Sequence, residues 1–287
     1  MGRKENSMPD CDSRCESCSE ECDERQTPQS FLAPQNQDSD VKKVIAIVSG
    51  KGGVGKSLTS SLLAVNARRG GRAVAIMDAD VTGPSIPTIF GLRQQASGSE
   101  TAIYPVKTAT GIAAISLNLL TDDPSEPVIW RGPVISGLIK QFWSDVAYGD
   151  IDELFIDMPP GTGDVPLTVF QSVPVDGIVV VTSPQDLVSL IVEKAVRMAA
   201  MMNVPIIGLV VNMSYLNCPH CGERIYPFGR RDEAALASKY GIPVIGHLPI
   251  DPKLAELCDR GAIEEYEGAY LREITEAIHR LSPKKKK

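Results

Sequence analysis

Short apolar runs recur along the chain from residue 41 onward, and most are separated by stretches with helical periodicity. The first run, VKKVIAIVSG, becomes continuously apolar before it ends in glycine, as is typical of a strand buried in a parallel sheet. A helix is predicted from Lys56 to about Arg69, ended by Gly70 and Gly71. Six further runs predict strands: RAVAIMDAD, GIAAISLNLL, DELFIDMPP, DGIVVVTSP, VPIIGLVVNM and IPVIGHLPID.

Helix-like stretches lie between most of these runs, namely VISGLIKQFWSDVA, DLVSLIVEKAVRMAAMM and RDEAALASKYG. Strands that alternate with helices predict a doubly wound, mainly parallel sheet with helices on both faces, which is a three-layer α/β/α fold. Right-handed crossovers bring the C-terminal ends of all such strands to one edge, where ligands bind. The polar motifs described below all follow predicted strand ends.

The first 40 residues differ in composition from the rest of the chain. They are rich in Asp, Glu, Ser, Gln and Pro, and they carry ten acidic and four basic side chains. Too few apolar groups are present to offset the entropy of ordering, so residues 1–40 are predicted to be a disordered acidic tail unless a ligand gathers them. One domain is expected over residues 41–281, followed by a lysine-rich tail over 282–287.

The charge distribution and the apolar runs exclude two classes of partner. The net charge is −7 and resides mostly in the acidic tail, so we expect no broad basic surface for nucleic acid. No run approaches the roughly 18 apolar residues of a membrane span. The start, MGRKENSMPD, also lacks the apolar stretch of a secretory signal. We therefore expect a soluble cytoplasmic protein without a membrane partner.

Residues 50–57, GKGGVGKS, match the pattern G-x-x-x-x-G-K-[ST] between a predicted strand and a predicted helix. In this setting backbone N–H groups surround nucleotide phosphates, and the helix N-terminus favours their negative charge. Lys56 is expected to reach the β- and γ-phosphates, and the Ser57 hydroxyl to ligate Mg²⁺. The predicted ATP contacts are Gly50, Lys51, Gly52, Gly53, Val54, Gly55, Lys56, Ser57 and Leu58.

Phosphoryl transfer also requires a carboxylate near the metal and a group that orients water. Asp157 ends an apolar strand and is the candidate to hold Mg²⁺ through its water shell. Asp80, two residues beyond Asp78 in AIMDAD, is the candidate to orient the attacking water. An aspartate at a strand end can instead cap a helix or turn. The segment PPGTGD, which ends at Asp164, has the Gly and Pro content of a loop that senses the γ-phosphate.

The glycine-rich loop contains a second lysine, Lys51, which has no phosphate to bind within one chain. In a face-to-face dimer, Lys51 would reach the partner's ATP and supply in trans the charge that an arginine finger supplies elsewhere. The alternative is an exposed lysine without a role.

The pair Cys218 and Cys221 in NCPHCGE places two thiols on one side of a tight turn, close enough to share a metal centre. Zinc or a [4Fe–4S] cluster takes four protein ligands, so this pair is half of a site. Three explanations for the two missing ligands are open. The tail cysteines could supply them, the pair could be a redox dithiol that needs none, or a second chain could supply its own pair across a two-fold axis. The second chain is preferred, since Lys51 requires the same dimer. His220 is read as an exposed loop residue and Cys258 as a half-buried helix residue.

The tail holds a second cysteine motif, C-x3-C-x2-C-x3-C, formed by Cys11, Cys15, Cys18 and Cys22. Four thiolates within twelve residues suffice to hold a metal and to order the segment around it. A second [4Fe–4S] cluster, a zinc ion and an unmetallated tail all remain open.

KGGVGKS resembles the deviant Walker A motif of the MinD, ParA and nitrogenase-iron-protein group. Within that group, DADVTGPSIP, WRGP, DMPPGTGD, TSPQ and NMSYLNCPHCG together resemble the Mrp/ApbC-type iron–sulfur carrier ATPases, from about residue 42 to residue 280. The resemblance implies that Lys51 acts across an ATP-bound homodimer, that Asp80 lies on the first switch loop, and that Asp157 to Asp164 form the second. Asn212 and Pro249 resemble the family's adenine-side positions.

The same resemblance implies a homodimeric ATPase that binds a [4Fe–4S] cluster between the CxxC pairs of two chains and transfers it to apo-proteins. It favours this bridging cluster over zinc, and eukaryotic cytosolic relatives have a four-cysteine tail site with wider spacing than here. Two other functions remain as alternatives. One is an ATP-gated electron donor like the nitrogenase iron protein; the other is a MinD/ParA-like positioning ATPase with a zinc-bound CxxC.

Overall fold

The computed structural model describes residues 31–121, 132–161, 163–185, 190–230 and 232–283. The predictions for Cys11, Cys15, Cys18 and Cys22, for the WR of WRGP and for the lysines at 284–287 lie outside these residues.

Strands of the described residues form a central sheet and two small hairpins. In chain order the strands are β1 (Ser39–Ser49), β2 (Val74–Asp78), β3 (Ser97–Gly98), β4 (Ile103–Tyr104), β5 (Val106–Lys107), β6 (Ala113–Ile115), β7 (Gly149–Asp157), β8 (Gly177–Thr182), β9 (Ile206–Val211), β10 (Leu216–Asn217), β11 (Arg224–Ile225) and β12 (Ile245–His247).

The central sheet has the order β12-β9-β8-β1-β7-β2-β6-β5, and every neighbouring pair is parallel except β5 with β6. The helices are α1 (Lys56–Arg69), α2 (Ile86–Ile89), α3 (Gly132–Ser144), α4 (Asp164–Ser172), α5 (Leu190–Met201), α6 (Glu233–Tyr240), α7 (Pro252–Asp259) and α8 (Arg272–Arg280), with 3-10 turns at Leu117–Leu119 and Ile263–Glu265.

Two apolar cores cover the two faces of the sheet. Along β1, Val44 and Ala46 belong to one core and Ile45 and Ile47 to the other, because successive side chains of a strand point to opposite faces. The first core includes residues of α3, α4 and α5, and the second includes residues of α1, α7 and α8. The prediction of a three-layer α/β/α fold is confirmed.

The predicted elements are found at their expected places. Helix α1 has the predicted bounds, and each of the seven apolar runs contains one parallel strand of the sheet. The hairpin β10–β11 around the CxxC, the strands β3 to β5 and the helices α2, α4 and α8 were not predicted. The strands among these elements have two residues each and α2 has four, which is too short for an apolar period to be recognised in the sequence. Among the described residues, none of the helices combines the length and the apolar character needed to cross a membrane.

Candidate functional site

The sheet register brings the glycine-rich loop and two aspartates to one edge. Asp78, the last residue of β2, pairs with Asp157, the last residue of β7, and Asp157 pairs on its other side with Ile47 of β1. The chain leaves β1 two residues later and enters the loop that leads to α1. The edge formed by these C-terminal strand ends therefore lies where the alternation of strands and helices predicts a ligand site.

The backbone of the loop is shaped to surround an anion. Gly53 and Gly55 have φ angles of 79° and 83°, which L side chains rarely adopt. A Cβ at Gly55 would lie 2.0 Å from Nδ2 of Asn212, so only glycine fits there. Helix α1 starts with no side-chain cap and no acidic residue in its first turn. An uncapped helix N-terminus whose first turn contains no acidic residue favours a phosphate group.

Asp157 is the acceptor on which the side chains of α1 converge. Lys56 Nζ lies 2.8 Å from Asp157 Oδ1. Ser57 Oγ donates a hydrogen bond to Oδ2 at 2.6 Å, and Ser60 Oγ donates one to Oδ1 at 2.8 Å. Asp157 and Ser60 are fully buried. Ser57 and Asp157, the two predicted Mg²⁺ residues, thus lie in direct contact, and hydroxyl and carboxylate oxygens are the donors that Mg²⁺ prefers.

The two aspartates of AIMDAD have different surroundings. Asp78 is buried and accepts hydrogen bonds from the backbone N–H groups of Ser85 and Ile86, at 3.1 and 3.2 Å. Burial, together with the charge of Asp157, raises the pKa of Asp78 to about 8. Asp78 therefore anchors the loop before α2, in the capping role that an aspartate at a strand end can play.

Asp80 lies closer to solvent and to the lysine of the loop. Its Oδ2 is 3.8 Å from Lys56 Nζ, and Oδ1 accepts a hydrogen bond from the Thr82 hydroxyl at 3.2 Å. Partial burial raises its pKa, and the charge of Lys56 opposes that shift. Asp80 is thus the more accessible aspartate of the pair.

The remaining loop residues differ in exposure. Lys51, Gly52 and Gly53 are exposed, whereas Val54 is buried in the core and Leu58 is half-buried. Val54 can therefore meet a ligand only through its backbone. The predicted second switch segment starts beside the loop, where the Gly161 N–H donates to the Ser49 carbonyl at 2.9 Å.

The two predicted adenine-side residues lie at the same sheet edge. Asn212 follows β9, is buried, and donates from Nδ2 to the Val54 carbonyl at 2.9 Å. Pro249 is buried just beyond β12, the neighbour of β9. The structure thus brings Asn212 into contact with the glycine-rich loop and places Pro249 on the adjacent strand end.

Cys218 and Cys221 lie in the turn of the β10–β11 hairpin. The Cys218 N–H donates to the Glu223 carbonyl, and the Gly222 N–H donates to the Cys218 carbonyl, both at 2.8 Å. Hydrogen bonds from the backbone of Cys221 and of His220 lower the pKa of Cys218. Cys218 is half-buried and Cys221 is exposed. A lowered thiol pKa favours the thiolate, which is the form that binds metal.

The hairpin supplies only part of a metal site. Within the part of the chain that the structure describes, no group of three or more His, Cys, Asp or Glu side chains could hold a metal ion. The third described cysteine, Cys258, is half-buried in α7, and burial raises its pKa to about 11. Cys218 and Cys221 therefore fit a shared four-thiolate centre only when further ligands come from elsewhere.

Two residues that contact the candidate site or the hairpin beside it were not predicted from the sequence. Ser60 was not predicted, although it lies one turn after Lys56 and so shares its face of α1. Arg224 was also missed. Its guanidinium lies 4.3 Å from the centre of the Tyr215 ring. Only the fold of the hairpin brings these two residues together.

The glycine-rich loop between β1 and α1, with a lysine and a serine directed at the aspartate of a neighbouring strand end, defines a P-loop NTPase. The model of the ParA family described as NUBPL iron-transfer P-loop NTPase matches residues 40–282. The chain belongs to this family.

Several curated relatives are similar over most of the chain. An iron–sulfur cluster carrier protein of Clostridium perfringens is 44% identical over 234 residues, 79% of this chain and 82% of that protein. A protein of the same name from Methanocaldococcus jannaschii is 41% identical over 263 residues, 88% of this chain and 90% of its own length. The cytosolic Fe–S cluster assembly factor CFD1 of Kluyveromyces lactis is 39% identical over 229 residues, 77% and 81% of the two chains.

Two solved structures share the fold. The nucleotide-binding protein of Archaeoglobus fulgidus, in complex with ADP, is 42% identical with a TM-score of 0.72, over 85% of this chain and 93% of that chain. The cell division ATPase MinD of Pyrococcus furiosus is 20% identical with a TM-score of 0.56, over 84% of this chain and 99% of that chain. The second likeness concerns the fold alone.

Proposed function

We propose that this chain is an ATPase that carries an iron–sulfur cluster as cargo between two identical subunits and transfers it to apo-proteins. The observation that carries the proposal is the half-site on the hairpin, where Cys218 and Cys221 present two thiols in an NTPase fold. The names of the curated relatives, iron–sulfur cluster carrier proteins, support the same cargo.

Each residue of the loop has a distinct task in the proposed ATPase. Lys56 binds the β- and γ-phosphates, while the backbone from Gly50 to Leu58 surrounds them. Ser57 and Asp157 would hold Mg²⁺, which neutralises phosphate charge when bound. Asp80 orients the attacking water beside Lys56. Asn212 and Pro249 contact the base from the adjacent strand ends.

A second identical chain would complete two features of the site. Lys51 is exposed at the rim of the loop, where it would reach the ATP of a facing subunit. Two CxxC pairs related by a two-fold axis would supply four thiolates to one [4Fe–4S] cluster. Thiolate ligands alone also suit zinc, so metal analysis must identify the cargo.

The tail cysteines and the location of the protein remain predictions. Cys11, Cys15, Cys18 and Cys22 would hold a second cluster independently of the hairpin, since they supply four thiolates in one segment. A cytoplasmic location is supported by the name of the Kluyveromyces lactis relative, a cytosolic assembly factor.

Anaerobic reconstitution tests the proposal. We expect wild-type protein loaded with iron and sulfide to be a dimer by light scattering and to hold a hairpin cluster with four irons per dimer. Cys218→Ala removes that cluster, and Cys258→Ala, which changes a half-buried thiol outside the hairpin, retains it. Combining these changes with serine at all four tail cysteines separates the two sites. A monomer that keeps the hairpin iron, or zinc in place of iron and sulfide, contradicts the proposal.

A further inference from the structure

A short segment, residues 212–217, connects the glycine-rich loop to the cysteine hairpin. At its start, the buried side chain of Asn212 donates to the Val54 carbonyl at 2.9 Å. Its last residue, Asn217, directly precedes Cys218 and pairs with Arg224 across the hairpin. The nucleotide loop and the first cysteine are thus separated by one contact and a few residues.

The middle of the segment is bound to the strand end that carries Pro249. The N–H and the hydroxyl of Ser214 both donate to the Leu248 carbonyl, at 3.0 and 2.9 Å. The Ile250 N–H donates to the Tyr215 carbonyl at 2.7 Å. These hydrogen bonds involve the residues on either side of Pro249. A displacement of Pro249, the proposed contact to the base, would therefore move the backbone of Tyr215.

The Tyr215 side chain connects the segment to the hairpin. The Arg224 guanidinium lies over the Tyr215 ring at 4.3 Å, within the range of a cation–π interaction. The Tyr226 ring is 6.3 Å from the Tyr215 ring, and Arg230 lies over Tyr226 at 4.5 Å. Arg224 therefore links the segment to β11, the strand that follows the two cysteines.

The segment also contains a backbone conformation that its contacts must maintain. Met213 has a φ angle of 56°, which costs a non-glycine residue about 1 kcal/mol or more. The Met213 N–H donates to Asn212 Oδ1 at 2.8 Å, so the residue that contacts the loop also fixes this turn. A change at Val54 thus acts on a strained position between the loop and the hairpin.

We propose that residues 212–217 transmit the nucleotide state of the glycine-rich loop to Cys218, and thereby set how firmly the hairpin holds its cluster. The inference rests on the proposed carrier function and specifies its regulation. Nucleotide binding at the loop shifts Asn212 against Val54, and the hydrogen bond at Tyr215 and the Arg224 contact carry that shift to the hairpin.

The test measures the rate of cluster loss to an apo-ferredoxin by visible absorbance, without nucleotide, with Mg·ADP and with a non-hydrolysable Mg·ATP analogue. Ile250→Pro removes the N–H that donates to Tyr215, and Ile250→Ala is its matched control because it keeps that N–H. Arg224→Gln removes the cation over Tyr215, and Arg230→Gln removes the equivalent cation over Tyr226.

We expect the ratio of release rates between nucleotide states to narrow by about two- to fivefold in Ile250→Pro and in Arg224→Gln, as the loss of one such contact predicts. The two controls keep the wild-type ratio. All four variants bind nucleotide and load iron as the wild type does. If Ile250→Pro fails to fold, the arginine pair decides.

Two results overturn the inference alone: a wild-type ratio in both Ile250→Pro and Arg224→Gln, or an equal loss in the controls. A wild-type protein that loads a cluster but releases it at one rate in all nucleotide states overturns the coupling itself, and the inference with it. Failure of the wild type to load a cluster overturns the carrier function and is distinguished by metal analysis before any rate is measured.

Discussion

Lys56 Nζ and Asp157 Oδ1 lie 2.8 Å apart, and both residues are buried at the C-terminal edge of the sheet. The lysine belongs to the loop that binds phosphate and the aspartate to the end of β7, so the pair joins the two halves of the proposed ATP and Mg²⁺ site. Without nucleotide, each charge compensates the other, which explains how both remain in an interior position.

The two lysines of the loop are expected to separate binding from hydrolysis. Lys56→Gln removes the charge that binds phosphate and should weaken ATP affinity by about 10- to 150-fold, as expected for a charged hydrogen bond. Lys51→Gln should leave ATP affinity within about twofold, because the exposed side chain acts on a second subunit. Isothermal titration measures affinity, and phosphate release at rising protein concentration measures hydrolysis.

Lys51→Gln should then lower hydrolysis only at concentrations where the wild type dimerises. An equal loss of ATP affinity in the two variants would refute a role for Lys51 in trans.

The two aspartates near Lys56 are expected to differ in stability effect. Asp157→Asn leaves the Lys56 charge buried without its nearest carboxylate, and should lower the free energy of unfolding by about 3 kcal/mol. Asp80→Asn should change it by less than about 1 kcal/mol, because partial burial already disfavours the Asp80 charge. Urea unfolding of both variants measures the difference, and circular dichroism checks their folds.

Asp80→Asn should nevertheless abolish ATP hydrolysis while it retains ATP binding. Wild-type turnover in this variant would remove Asp80 from the proposed mechanism.

Gly55 and Gly53 provide a matched test of the loop backbone. Both have positive φ, but a Cβ at Gly55 would lie 2.0 Å from Asn212 Nδ2, whereas a Cβ at Gly53 would meet nothing within 4 Å. Gly53→Ala should cost only the backbone strain, about 1 kcal/mol, and Gly55→Ala should cost more than about 2 kcal/mol. Chemical unfolding without nucleotide compares them.

The extra cost at Gly55 should be relieved by a second change. Asn212→Ala removes the amide that the new Cβ would meet, so the double variant should be more stable than the sum of the single effects predicts. Strict additivity would show that the clash is not the cause.

Glu153 and His279 predict a pH dependence at the edge of the sheet opposite the loop. Glu153 Oε2 and His279 Nε2 are 3.5 Å apart, and neither atom has a hydrogen-bond partner within the described residues. Burial raises the pKa of Glu153 to about 7, while Lys43 and Arg72 oppose the shift. The folded protein thus keeps a proton that the unfolded chain releases near pH 4.5, and this contribution to stability is lost as pH rises from 4.5 through 7.

Glu153→Gln should remove that loss. We subtract the free energy of unfolding of the variant from that of the wild type. This difference should be larger at pH 5 than at pH 8. Burial also lowers the pKa of His279, with contributions from Arg72 and Lys43, and so adds a change of opposite sign as pH falls below 6.5. Because His279 is present in both proteins, the subtraction reduces its contribution. A difference that does not change with pH would show that Glu153 is not the source of the pH dependence.

The fold was predictable because its main signals are local. A buried parallel strand is apolar throughout, and a helix is recognised by its apolar periodicity and its terminal residues. Residues 41–71 alone therefore predict β1 and α1. The parallel arrangement then required the ends of β2 and β7 to meet at one edge. The meeting of Asp78 with Asp157 follows from that topology rather than from any property of the two residues.

The roles of individual side chains were less predictable. Asp78 and Asp80 stand two residues apart at one strand end, yet Asp78 accepts hydrogen bonds from the backbone N–H groups of Ser85 and Ile86, whereas Asp80 faces Lys56. The depth of each carboxylate decided this division, and depth depends on how the loop after β2 folds back. The same holds for Ser60, whose partner Asp157 is far away in the sequence.

The alternation of strands and helices, the glycine-rich loop and the paired cysteines could all be predicted from the chain alone, because each depends on residues that are neighbours in the chain. Three other contacts arise only when the chain folds: Asn212 contacts Val54, Arg224 lies over Tyr215, and Glu153 is buried beside His279. These contacts join residues from separate elements, and their geometry is set by the packing of the whole sheet, which no local pattern records.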